Sequence, residues 1–156
     1  MRPVVLALAA GAVLVVALAG CGGHHKSSTV VLRLKSVVES NDKTDKPPTG
    51  PSKGDVWVER DTLFNVTSGF GKAANAMVGT DKATITFQST TEAHVAGTAS
   101  LPDGTIMFGG ETAVSGATQL VPVVGGTRAY AHATGSLVIT NSGVSDTLNT
   151  YHLTVP

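Results

Sequence analysis

The stretch "DKATITFQSTTEAHVAGTASLPDGTIMFGGETAV", residues 81–114, carries the fold. Ile85 and Phe87 fall on one side of an extended chain, and Thr84, Thr86 and Gln88 on the other. That two-residue period marks a half-buried strand. "EAHVAGTASL" keeps the extended character, the turn "PDG" at 102–104 reverses the chain, and "TIMFGGETAV" resumes it. Working outward, "TVVLRLKSVVES" (29–40), "DVWVERDTLFN" (55–65), "TQLVPVV" (118–124), "SLVITNSG" (136–143) and "SDTLNTYHLTVP" (145–156) also read as strands. Some eight short strands at regular spacing predict an all-β antiparallel sandwich or barrel. Between the first two, "NDKTDKPPTGPSKGD" (41–55) predicts a long polar loop, because Pro47, Pro48 and Pro51 cannot join a helix or ladder. Only "GKAANAM" (71–77) suits a short helical turn.

The N-terminus has a different character. Residues 1–20, "MRPVVLALAAGAVLVVALAG", pair Arg2 with a charge-free apolar run from Val4 to Ala19. This is the layout of a secretory signal peptide, and it is short for a membrane span. Leu18-Ala19-Gly20-Cys21 resembles the lipobox of bacterial lipoproteins. The resemblance implies that Cys21 becomes an acylated mature N-terminus, tying an extracytoplasmic domain to the cell membrane. More than one acyl chain is needed for a lasting anchor, at about 0.8 kcal/mol per buried methylene. "GGHHKSS" (22–28) then reads as a tether, giving a lipidated linker over 21–28 and a barrel domain over 29–156. His24 and His25 lack the fixed geometry and further ligands of a metal site, so no metal and no cofactor is expected. Without Arg2 the chain has ten basic against eleven acidic side chains, a formal charge of −1. That leaves no electrostatic footprint for nucleic acid. Cys21 is the only cysteine, so stability outside the cytoplasm rests on packing rather than disulfides.

Four motifs, in order, resemble dirigent and allene oxide cyclase proteins. They are "GDVWVERDTLF" (54–64), "VGTDKATITF" (78–87), "LPDGTIMFGGET" (101–112) and "VVGGTRAYAHATG" (123–135). In the last, Gly125, Gly126, Thr127, Tyr130, Ala133 and Gly135 match the family's Gly-Gly-Thr-Gly-x-Phe-x-x-Ala-x-Gly, with Arg128 where a fourth small residue is usual. The resemblance implies an eight-stranded antiparallel, calycin-like β-barrel, a homo-oligomer in many plant members. Gly125-Gly126 is expected to make a tight strand reversal.

The resemblance does not bring the plant cyclase's residues with it. Where that family has glutamate and asparagine on the first strand, this chain offers Arg33 and Lys35; where it has a cysteine, Thr84, Ile85 and Thr86 stand. The catalytic candidates are Glu59 and Asp61, which share a strand face with Trp57. Two carboxylates beside an aromatic can act as acid and base if their pKa values are driven apart; the alternative is a solvated outward face. Trp57 and Tyr130 are the candidate ligand-binding aromatics, Tyr130 with packing as its other reading. His94, His132 and His152 read as structural, and Asn65-Val66-Thr67 is a glycosylation sequon by pattern alone. An eight-stranded barrel holds at most one small ligand. With seven aromatics and three methionines, this chain's small side chains predict a partly open lumen or a flattened barrel. The expected function is a membrane-anchored barrel that binds a small hydrophobic molecule or serves as a surface interaction module. The alternative is an isomerase or cyclase guiding a reactive intermediate in the lumen.

Overall fold

The computed structural model describes residues 27–142 and 146–156. The signal peptide, Cys21, His24 and His25 lie outside the described residues. Eight strands run in chain order: β1 (Ser28–Thr44), β2 (Val56–Asn65), β3 (Met77–Phe87), β4 (Glu92–Leu101), β5 (Gly104–Ala113), β6 (Thr118–Gly126), β7 (Thr134–Asn141) and β8 (Asp146–Val155). Each pairs antiparallel with the next, and β1 closes the barrel on β8 from Ser28↔Val155 to Val37↔Asp146. Among the described residues, all strands and the core lie between Ser28 and Val155, so this segment carries the barrel's own hydrophobic core.

Up-and-down pairing puts alternate loops at opposite ends. Segments 66–76, 102–103 and 127–133 gather at one end, and 45–55, 88–91 and 114–117 at the other. The first end is plugged: Leu34, Leu63, Val78, Leu101, Ile106, Tyr130, Ala133 and Leu153 are all buried there. The second end is open. On the plugged side β5 and β6 pair from Ile106↔Gly126 to Phe108↔Val123, with a register shift, and among the described residues no further pairs continue toward the mouth. Pro122 has no N–H to give a ladder, and Gly109-Gly110 faces it across the gap.

Several expectations are corrected in detail. β1 runs on to Thr44, so residues 41–44 of the expected loop are strand; they pair with the start of β2 after a register shift between Val38 and Ser40. The remaining loop is organised by buried Asp55, which accepts hydrogen bonds from the backbone N–H of Lys46 (2.8 Å) and of Ser52 (2.8 Å). Those backbone donors hold its carboxyl below the usual carboxylate range, against the opposing effect of burial. Residues 71–77 form no helix; β3 already begins at Met77. That loop is held by Asn65, whose buried carboxamide donates to the carbonyls of Gly69 (2.8 Å) and Ala73 (3.2 Å). The sequon asparagine is therefore spent on structure.

The Gly-Gly-Thr motif also works differently from the expected tight turn. Gly125 and Gly126 end β6, and the reversal takes residues 127–133 through a short 3-10 helix, Arg128–Tyr130. The left-handed backbone falls on Arg128 (φ 55) and His132 (φ 59). Gly126 is needed for close approach instead, since a Cβ there would strike the Thr105 carbonyl and Tyr130. Gly135, at φ 136, lies so close to β8 that a Cβ would collide with the His152 carbonyl. Gly135→Ala is therefore expected to lower unfolding free energy by about 2 kcal/mol or more, read by urea denaturation. An unchanged midpoint would show that the β7–β8 seam can open to admit a methyl group.

Candidate functional site

Strand alternation aims Trp57, Glu59 and Asp61 of β2 into the lumen, with Asp81, Ala83, Ile85 and Phe87 of β3 beside them. They line a cavity of about 310 Å³, with Val95, Phe108, Val121, Leu137 and Ile139 forming much of the apolar wall. Asn149 and Thr147 of β8 complete its polar side. The low aromatic content predicts this space: small side chains leave the open half of the barrel unfilled.

Asp61 and Asp81 sit directly opposite each other in the β2–β3 register. Like charges facing across a ladder destabilise a sheet, so this pair is costly to the fold. The Ser36 hydroxyl donates to Asp61 Oδ2 at 2.7 Å, while Oδ1 is buried and has no partner. Glu59 accepts from the Asn41 carboxamide at 2.6 Å. The hydroxyl of Tyr151, a wholly buried residue, is also unpartnered. Asn149, two residues before it on the same strand, lies near without making a well-formed hydrogen bond to it. At the mouth, Trp57 packs edge-on against Phe87, with centroids 4.6 Å apart, and the Lys43 ammonium lies 3.8 Å from the Trp57 ring centre.

Burial dominates the electrostatics. Desolvation, then the charges of Asp61 and Glu59, push Asp81 up to about 7. Asp61 is also raised, first by desolvation and then by Glu39, against the Ser36 hydrogen bond. Glu59 is raised by desolvation and Asp61, opposed by Lys43 and Asn41. Desolvation, with Asp81 and Asp61 nearby, raises Tyr151 well above an ordinary phenol, so it stays protonated. The site thus holds one carboxyl poised near neutral pH to give or take a proton, two neighbouring carboxyls whose proton affinity is also raised, and a protonated phenol buried behind them.

Of the residues singled out from the sequence, Trp57, Glu59 and Asp61 meet in this cavity. Tyr130 does not; it is buried at the plugged end, where desolvation and Asp103 push its phenol up to about 12. His94 bonds Glu111 on the exposed surface at 3.0 Å, and His132 and His152 are exposed elsewhere. No group of three or more His, Cys, Asp and Glu suited to a metal ion occurs among the described residues. Sequence reasoning missed Asp81, Tyr151, Ser36 and Asn149. The signal was present in the alternation: Asp81 is in phase with Ile85 and Phe87, and Tyr151 and Asn149 with Leu153.

No protein-family model and no curated protein matches the chain. Solved structures do match. A pterocarpan synthase dirigent protein, GePTS1, is similar over 85% of this chain and 87% of its own, at 17% identity and a TM-score of 0.62. By fold the chain is a dirigent-type barrel. Other similar barrels include a pyocyanin demethylase (25% identity, TM-score 0.68, 80% of this chain and 99% of that one). A heme-binding cyclase that catalyses a [4 + 2] cycloaddition in neoabyssomicin biosynthesis is similar too (18% identity, TM-score 0.64, 84% of this chain and 69% of that one).

In this dirigent-type barrel Asp81 binds its proton more tightly folded than unfolded. Between the ordinary carboxylate range and about 7 the native state therefore holds more protons, and stability falls as pH rises. Asp81→Asn should flatten that fall and raise Tm at pH 8 by about 4 °C, the shift expected from ~1 kcal/mol in a domain of this size. Parallel Tm curves for the two proteins between pH 5 and pH 8 would refute the buried-acid assignment.

Proposed function

We propose that the protein is an extracytoplasmic barrel, anchored to the cell membrane through acylated Cys21, that takes one small, largely hydrophobic molecule into its lumen. There Asp61 and Asp81 carry out acid–base chemistry on it, of the isomerase or cyclase type. The observation that supports this best is the Asp61–Asp81 pair in register at the floor of an apolar cavity. Two opposed buried carboxylates destabilise the fold, a conflict folds accept mainly where a site needs the groups. In this reading the Asp81 carboxyl moves a proton between two positions of the bound molecule, with Asp61 beside it on the cavity wall and the protonated Tyr151 phenol buried behind them. Shape does the rest, by excluding water and holding one conformer. Similar barrels described as cyclases and a demethylase agree with chemistry in such a lumen.

The anchoring proposal has a geometric consequence. β1 starts at the plugged end, so a tether beginning at Cys21 joins the barrel opposite its mouth. The lumen would then open away from the bilayer and load from the aqueous side.

Three measurements check these readings. The barrel, residues 27–156, should take up the neutral dye Nile red with a blue-shifted emission, and Ala83→Phe, which fills the lumen, should weaken uptake at least tenfold; failure of the unaltered barrel to take up dye would remove the lumenal site. A guest recovered from the native protein and incubated with it in D2O should gain deuterium, and Asp81→Asn should abolish that gain. For the anchor, Cys21→Ser should eliminate acyl mass and shift the protein out of the membrane fraction.

A further inference from the structure

The charge of the lumen narrows its ligand, given the lumenal site proposed above. Four acidic side chains and no basic one line the cavity: Glu59, Asp61, Asp81 and Asp146. Asp146 is neutralised by Lys35 at 2.7 Å. The other three have no ion-pair partner among the described residues. Lys43 acts on Glu59 only through space, its ammonium being held against Trp57.

A neutral apolar guest would cover these carboxylates and remove their remaining water without compensation. An anion would add repulsion. A cation offsets both. The walls agree, because Phe87 and Phe108 line the cavity and aromatic rings attract positive charge, as the Lys43 ammonium on Trp57 illustrates. Independently, Asp61, which lines the cavity, has a buried Oδ1 with no hydrogen-bond partner. Such an oxygen suits an N–H, or the polarised C–H next to a positive nitrogen. A cavity of about 310 Å³ is at the small end for ligand sites, which suits a few fused rings.

We infer that the lumen selects a small, flat organic cation, a ring system bearing a protonated or alkylated nitrogen. Its positive atom lies toward Asp61 and Asp81 and its ring against Trp57 and Phe87. The charged groups acting on this cluster are Glu59 on β2, Lys43 and Glu39 on β1, and the Tyr151 phenol on β8.

The test is calorimetric titration of the barrel, residues 27–156, at pH 8 with three shape-matched probes. These are 1-methylquinolinium as cation, 1-methylnaphthalene as neutral isostere and 1-naphthoate as anion. The cation should bind at least about tenfold more tightly than the neutral probe, as expected for a desolvated cation–π and carboxylate site. The anion should bind most weakly. Asp61→Asn with Asp81→Asn should bring cation and neutral probe within about twofold, while unchanged affinity for the neutral probe certifies the fold. If that variant does not fold, the preference of the unaltered barrel should still shrink from pH 8 to pH 5 as the carboxylates gain protons. Neutral binding equal to or tighter than cation binding, or a preference that survives both the substitutions and acid, overturns the cation and leaves the lumenal site standing. Binding of none of the three removes the lumenal site and this inference together.

Discussion

Closure of β1 on β8 is the constraint from which everything else follows. The ten-residue ladder from Ser28↔Val155 to Val37↔Asp146 turns an open sheet into a cylinder. It leaves no exposed sheet edge there, which an open β-sheet must otherwise protect. It also gives every strand an inside. Side chains on that inside lose water together, whether apolar or charged. At the plugged end this loss stabilises the fold, through Leu34, Leu63, Ile106 and Leu153. Toward the mouth the same loss raises the pKa of three carboxylates and a phenol.

The barrel thus has two halves with different physics. The plugged half is packed closely enough that Gly126 and Gly135 have no room for a methyl group. The open half is lined by residues too small to meet across the lumen. Ala83, Val95 and Val121 stop short, and a cavity remains. An opposed aspartate pair is tolerated here because Ser36 and the remaining exposure of the site relieve part of the repulsion. Folds accept such local conflicts mainly where a site needs them.

The mouth is shaped by the loop over 45–55. Asp55 gathers its backbone donors and Pro51 reaches the cavity rim. Trp57 stands just inside, held between Phe87 and Lys43. The guest's path and the site's electrostatics therefore share one strand, β2, which carries Trp57, Glu59 and Asp61 in succession.

The sequence by itself determined the all-β class, the strand count, most strand limits to within a few residues and the dirigent-type resemblance. Alternation and turn residues are local signals that survive without the fold. It also placed Trp57, Glu59 and Asp61 on one face, because neighbours two apart on a strand cannot do otherwise. Residues 41–44 were misread because polar composition suggests a loop, while pairing with β2 holds them extended. Tertiary structure alone decided which face points inward, that Asp81 stands opposite Asp61, and that Tyr151 closes on both. It also moved Tyr130 to the far end from the cavity. Those facts depend on strand register around a closed ring, where residues as far apart in the chain as Ser28 and Val155 become neighbours, and register is set by the packing of all eight strands rather than by any one of them.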